Sequence, residues 1–150
     1  MHLLTPHLLT KHHQTADFDC GDRFLNGWLK KTSIKNKHLS KTYVTTHKDE
    51  VIGYYTLSLG GIGQKRIPRL NSTAEVIPAL ILNRLAVHKD YHNQGIGKAL
   101  LKDAVLRSFH ASQIAGISTL LVYALSERAK RFYVSNGFFK SCFHPHILCL

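Results

Sequence analysis

The sequence predicts an α/β domain built on a mixed sheet, and three observations carry that prediction. Apolar runs of strand character alternate with amphipathic helical segments along the chain. Residues 81–106, ILNRLAVHKDYHNQGIGKALLKDAVL, pass from a nearly continuous apolar strand through a polar loop into a helix, as a central strand covered on both faces would. The 150 residues make one domain's worth of chain, long enough to bury a full core without staples. We therefore expect a single domain over residues 1–150.

The elements follow in order. Phe18-Asp19-Cys20-Gly21-Asp22 reads as a turn, with Asp22 capping the next helix. That helix carries Phe24, Leu25, Trp28 and Leu29 on one face and Lys30 and Lys31 outward, and Ile34 to His38 is its basic continuation. Lys41 to His47 is rich in β-branched residues. Lys48-Asp49-Glu50 turns it back into Val51 to Leu59 as an antiparallel hairpin. Gly60 to Pro78 is a long connection punctuated by Gly and Pro.

In the central stretch, Ile81, Leu82, Leu85, Ala86 and Val87 form the strand, and His88 to Asn93 must surface. After Gln94-Gly95-Ile96-Gly97 the apolar period becomes helical. Leu100, Leu101, Ala104, Val105 and Phe109 fall on one side; Lys98, Lys102, Asp103 and Arg107 fall on the other. Asp103 and Arg107, four apart, are placed to pair. The helix runs to about Ile114, with Gly116 as a left-handed cap. Thr119 to Ala124 is another buried strand. Ser126 caps a helix over Glu127 to Ser135, which Asn136-Gly137 stops. Ala129, Phe132, Tyr133 and Asn136 share one side of it. Phe138 to Phe143 and His146 to Leu150 close the chain as two strands.

Composition narrows the function classes. Twenty Lys and Arg against nine acids give +11, a surplus that attracts polyanions and repels polycations. Lys30, Lys31, Lys35, Lys37 and Lys41 cluster, as do Lys65, Arg66 and Arg69. A solvated basic face is one reading; a nucleic-acid or acidic protein partner is the sharper one. Cys20, Cys142 and Cys149 are an odd number without paired spacing, which fits free thiols in a reducing cytoplasm. The N-terminus lacks a signal-peptide pattern, and no apolar run approaches a membrane span. His12, His13, His88, His92, His144 and His146 have no cysteine or carboxylate completing a tetrahedral set, so no metal is expected.

Two places carry chemistry. Glycines at the mouth of a helix leave backbone N–H groups uncovered, and with the positive end of the dipole these can hold a phosphate or pyrophosphate. Gly95 and Gly97 can equally serve only to turn the chain. The Walker loop is excluded, because Gly97-Lys98 is followed by Ala99. The dinucleotide fingerprint is excluded too, since position 100 is Leu and no acid follows at the required distance. The other place is Tyr133, which by pattern alone is an aromatic of a buried helical stripe.

The element order, the glycines of His92-x-x-Gly95-x-Gly97 after a central strand, and Phe132-Tyr133-x-x-x-Gly137-Phe138 near the end resemble the GNAT superfamily of acyl-CoA N-acyltransferases. Phe18-x-Cys20-Gly21, Leu25-x-x-Trp28-Leu29, Thr42-Tyr43-Val44, Gly53-Tyr54-Tyr55-x-Leu57 and Arg84-Leu85-Ala86-Val87 are similar to the tRNA-acetylating toxins of type II toxin–antitoxin pairs. The resemblance covers nearly the whole chain.

It implies a GNAT fold, with a central, largely antiparallel sheet that splays beside Leu85-Ala86-Val87, flanked by helices. Free backbone groups of that strand would pair with the pantetheine arm of acetyl-CoA, and His92, Asn93, Gln94, Gly95, Ile96 and Gly97 would hold the pyrophosphate. The family usually has Arg or Gln where His92 stands. The tyrosine matching Tyr133 is the family's general acid, protonating the departing thiolate while the amine attacks the thioester directly. The substrate implied is the α-amino group of aminoacyl-tRNA, whose acetylation blocks translation. A small amine or a protein N-terminus is the alternative acceptor, although few acids are available for a cationic amine. The subgroup also implies an antitoxin with a ribbon-helix-helix DNA-binding part and toxins that often form homodimers.

Overall fold

The computed structural model describes residues 5–35, 37–63, 76–140 and 147–150. The strands are β1 (His7–Leu8), β2 (Lys41–His47), β3 (Glu50–Gly63), β4 (Val76–Val87), β5 (Thr119–Tyr123), β6 (Phe139–Lys140) and β7 (Ile147–Cys149). The helices are α1 (Arg23–Gly27), α2 (Ile96–Ile114) and α3 (Glu127–Ser135). The strands form one sheet in the order β1-β2-β3-β4-β5-β7-β6. Among the pairings described, β4 with β5 is parallel, while β1–β2, β2–β3, β5–β7 and β6–β7 are antiparallel. A mixed, largely antiparallel sheet is what the sequence predicted.

The chain divides into two compact units: Met1–Ser58 with Arg84–Leu106, and Leu59–Asn83 with Arg107–Leu150. In the first, Asp22 caps α1 by accepting from the amides of Phe24 (2.8 Å) and Leu25 (3.2 Å). The helix passes into a π-helical turn over Trp28–Thr32. Leu29 is buried, with Leu25 and Trp28 half-buried. Phe24 departs from the expected apolar face: its ring is 89% exposed. The β2–β3 hairpin closes through Lys48 and Asp49, with φ of 52° and 66°. A two-residue loop with both φ positive matches the twist of the flanking strands.

The core of this unit joins Phe18, Leu29, Val44, Val51, Tyr54 and Ala86. Tyr54 anchors it, edge-on to Phe18 at 5.5 Å, stacked under Trp28 at 6.0 Å, and donating to the Leu25 carbonyl at 2.7 Å. α2 buries Ile96, Leu100, Leu101 and Ala104. Phe109, expected on that face, is 65% exposed. Asp103 accepts from the Tyr55 hydroxyl, a bond that the spacing of Asp103 and Arg107 did not suggest.

In the second unit, β4 and β5 pair from Ala79↔Thr119 to Leu82↔Val122, and Ala79, Leu121 and Cys149 pack together. β7 lies between β5 and β6, antiparallel to both. The ends of β3 and β4 extend into what read as one long connection, of which residues 64–75 lie outside the described residues. The expected αL cap at Gly116 is absent, because its φ is not positive. Gly137, by contrast, has φ 99°. It ends α3 in a Schellman turn, with Phe138 N–H on the Tyr133 carbonyl and Gly137 N–H on that of Val134. Of the expected closing strands the described parts are β6 and β7, and residues 141–146 lie outside the described residues.

One glycine sets how closely α2 can approach β3. A Cβ on Gly53 would stand 2.9 Å from Leu100 Cδ1 and 3.3 Å from Thr45 Cγ2. We expect Gly53→Ala to lower stability by about 1–3 kcal/mol, the usual cost of overpacking, read as a fall in the urea midpoint. In a double-mutant cycle with Leu100→Ala, the two losses should be less than additive.

Candidate active site

The loop after β4 is held from below. The His88 amide donates to the Ile52 carbonyl (2.8 Å) and the Lys89 amide to the Asp19 carbonyl (2.8 Å). Lys89 Nζ lies 3.1 Å from Asp19 Oδ2. The Gly21 amide, the Asn26 side chain and Lys89 together hold the Asp19 carboxyl at a pKa of about 2. His88 Nδ1 accepts from the Asp90 amide (3.1 Å), so its Nε2 carries the proton and faces the Asp17 carbonyl at 3.2 Å. This pins a 3₁₀ turn over Lys89–Tyr91.

Strand alternation then fixes the free edge of β4. His88 donates toward β3, so Ala86 also faces β3, while Leu85 and Val87 direct their amides and carbonyls to the opposite edge. The β5 register stops at Leu82↔Val122, short of these residues. The Val87 carbonyl accepts from His92 Nε2 at 2.7 Å. The β4–β5 ladder therefore includes none of Leu85, Ala86 and Val87.

The loop then turns into α2. Asn93 and Gly95 have φ of 62° and 78°, and buried Ile96 anchors the helix start. Among the described residues no acceptor meets the amides of Gln94, Gly95, Ile96, Gly97 or Lys98. No acid lies from His92 to Lys98, and a Cβ on Gly95 would meet nothing within 4 Å. Unmet donors at the start of a 19-residue helix suit an anionic diphosphate. Leu85, Ala86, Val87 and residues 92–97 all lie in the first unit; Tyr133 lies in the second.

Tyr133 is 7% exposed, edge-on to Phe132 (5.2 Å) and Phe138 (5.4 Å). Its helix starts at Ser126, whose hydroxyl accepts from the Ala129 amide at 3.0 Å. Burial pushes the phenol up to about 12. Its Oη has no partner among the described residues, yet it is not one of the sealed orphan oxygens, which are those of Thr42 and Thr56. A purely structural buried tyrosine would normally spend its hydroxyl on a partner.

Comparison with known proteins decides the family. Residues 38–140 match the acetyltransferase (GNAT) domain. The chain belongs to the GNAT acetyltransferases. It is 30% identical to a tRNA-acetylating toxin of Mycobacterium tuberculosis over 97% of this chain and 90% of that one. Among solved structures, a Tyr-to-Phe mutant of KacT superposes with a TM-score of 0.91 at 26% identity, covering 100% of this chain and 95% of that one. AtaT complexed with acetyl-methionyl-tRNAfMet gives 0.90 at 28% identity, covering 99% and 94%. AtaT bound to the C-terminus of its antitoxin AtaR and acetyl-CoA gives 0.83 at 29% identity, covering 99% and 92%. This GNAT chain is accordingly an acetyl-CoA-dependent N-acetyltransferase, and the open strand edge and the unmet amides fit that cosubstrate.

No group of three or more His, Cys, Asp or Glu among the described residues could hold a metal ion. No described helix is long and apolar enough to cross a membrane. Sequence reading did not find the His92–Val87 bond, nor the anchoring of the loop to Asp17 and Asp19. Those contacts join residues up to 71 positions apart, and no local pattern signals them.

Gly95→Ala puts a side chain at φ 78° and should cost about 1–2 kcal/mol of backbone strain. We expect it also to weaken acetyl-CoA binding severalfold by calorimetry, because the strained turn misdirects the amides. A stability loss without any change in acetyl-CoA affinity would reduce Gly95 to a turn residue.

Proposed function

We propose that this acetyltransferase is the toxin of a type II toxin–antitoxin pair, moving acetyl from acetyl-CoA to the α-amino group of aminoacyl-tRNA and so blocking translation. The observation that carries the reading is the likeness, over nearly the whole of both chains, to a tRNA-acetylating toxin. The net charge of +11 agrees with a polyanionic acceptor.

Bound acetyl-CoA supplies an acetyl group activated as a thioester. The Leu85 peptide groups would hold the pantetheine arm, and the Val87 amide would polarise the thioester carbonyl. The amides following His92 and Asn93, from Gln94 through Gly97, would take the pyrophosphate. The His92 ring, engaged with the Val87 carbonyl, would fix the loop rather than bind phosphate. Tyr133 Oη would hand its proton to the leaving sulfur, and the proton shed by the attacking nitrogen as the amide forms would pass through solvent to restore the phenol. Burial that raises the phenol disfavours a thiolate in the same surroundings, so the proton still has a basic destination. No side-chain base is assigned, since an α-amino group with a pKa of ~7.7–8 is partly neutral near pH 7. Residues 1–150 would then act as one catalytic domain.

The same likeness supports a protein partner. AtaT is seen with the C-terminus of AtaR, and KacTA is seen on DNA. By analogy this chain would be held inactive by an antitoxin whose DNA-binding part is of ribbon-helix-helix type, in the cytoplasm and as a homodimer.

Tyr133→Phe removes an oxygen that has no partner among the described residues. It should therefore leave stability within about 0.5 kcal/mol and acetyl-CoA affinity within twofold. Transfer of labelled acetyl to charged tRNA should fall by about 10²–10⁴-fold, and growth inhibition should disappear; a fully active variant would overturn the mechanism. The pH profile gives an independent check. A donor with its pKa raised to about 12 stays protonated through the working range. kcat/KM should rise as the substrate amine deprotonates and show no descending limb below pH ~10, whereas a limb near pH 9 would exclude Tyr133 as the donor.

A further inference from the structure

A second surface of the first unit is unused by the chemistry above. A groove of about 380 Å³ runs along α1, lined by Arg23, Phe24, Trp28, Lys31 and Arg84 among others. Its volume falls in the roughly 300–1,000 Å³ range of small-molecule sites. Its floor is a stack: the Trp28 indole lies nearly parallel to Tyr54, at 11° and 6.0 Å. The Arg84 guanidinium sits over the indole at 4.3 Å. Phe24 stands at the rim with its ring 89% exposed. One exposed phenylalanine means nothing by itself. An exposed ring beside a preformed aromatic–guanidinium stack is a platform for another flat group.

The electrostatics point the same way. Three of the lining residues are Arg or Lys and none is Asp or Glu. The neighbouring acid, Asp22, is committed to the amides of Phe24 and Leu25. Arg84 immediately precedes Leu85, so the groove borders the strand end assigned to the cosubstrate. A tRNA carries its amino acid on an unpaired 3′ end. Whichever site takes the amino group must therefore receive unpaired bases and their phosphates close by.

We propose that this groove binds an unpaired nucleobase of the RNA acceptor, stacked against Phe24 and the Trp28–Arg84 pair, with Arg23 and Lys31 on the flanking phosphates. The inference rests on the charged-tRNA reading and names the part of that substrate the groove takes. Stacking tolerates any base, so this surface would grip the common 3′ end rather than select one tRNA.

Trp28 is the only tryptophan in the chain, which gives a direct readout. Its fluorescence is titrated with a single-stranded RNA oligonucleotide ending in ACCA. The comparison probes are an abasic oligonucleotide with the same phosphates, an RNA duplex and a poly-glutamate peptide. We expect the single strand to quench Trp28 and the others to bind at least tenfold more weakly. Phe24→Ala should weaken the single strand by about tenfold or more and raise KM for charged tRNA to match, while Phe24→Tyr, which keeps the ring, restores both. Thermal unfolding of Phe24→Ala verifies the fold, which an exposed ring should not affect.

Equal quenching by the abasic strand or by poly-glutamate would overturn the proposal in favour of simple charge attraction or an acidic peptide. Wild-type affinity and KM in Phe24→Ala would overturn it too. A wild-type enzyme that binds the oligonucleotide through Phe24 but acetylates no charged tRNA would uphold the groove and overturn the assigned substrate.

Discussion

The site depends first on how the end of β4 is tied to the loop that precedes α1. Two backbone bonds, from the Lys89 amide to Asp19 and from the His88 amide to Ile52, fix where the strand stops and the loop begins. Each is worth about 1 kcal/mol net, which is modest. Their geometric effect is larger, because they orient His88 and set which peptide groups of β4 face β3. The Leu85 and Val87 groups face away from β3 as a consequence of that phase, and His92 takes the Val87 carbonyl. A one-residue slip would turn Ala86 outward instead and exchange which peptide groups face away from β3.

Asp19 works as a junction rather than as an acid catalyst. Its carboxyl takes the Gly21 amide, the Asn26 side chain and Lys89, which keeps it ionised down to about pH 2. Because its pKa is depressed, whatever it adds to stability is present above the ordinary carboxylate range and lost as pH falls toward 2. The carboxylate is half-exposed and screened by solvent, so its value is positional. His92 does a parallel task from the other side of the loop by holding the Val87 carbonyl. Through that bond the His92 ring braces the strand end.

The aromatic column in the first unit serves both stability and recognition. Phe18, Tyr54 and Trp28 are packed in sequence, and Arg84 covers the indole. Burial pulls the Arg84 guanidinium below its usual pKa, and the Tyr54 phenol is pushed up for the same reason. Neither shift changes a charge state near neutrality. The column therefore presents a fixed cation on a rigid aromatic base, and rigidity lowers the entropy lost when a planar ligand stacks on it.

By itself the sequence determined the elements and much of the candidate site. Period and punctuation located α2, α3, the β2–β3 hairpin and the strand before the glycine loop, because these signals are local and each residue's neighbours reveal its side of a helix or strand. The glycines at 95 and 97 and the Phe132-Tyr133 frame were legible for the same reason, and resemblance then supplied their chemistry. Only the tertiary structure decided the rest. Periodicity placed Phe24 and Phe109 inward, yet both are exposed, because an apolar stripe is buried only where another element covers it. It also expected Asp103 on a solvent face, and Tyr55 claims it. The lengths of β3 and β4, the place of β7 between β5 and β6, and the bracing of the loop by Asp19, His88 and His92 arise from contacts between residues far apart in the chain. Such contacts have no period for a sequence to display.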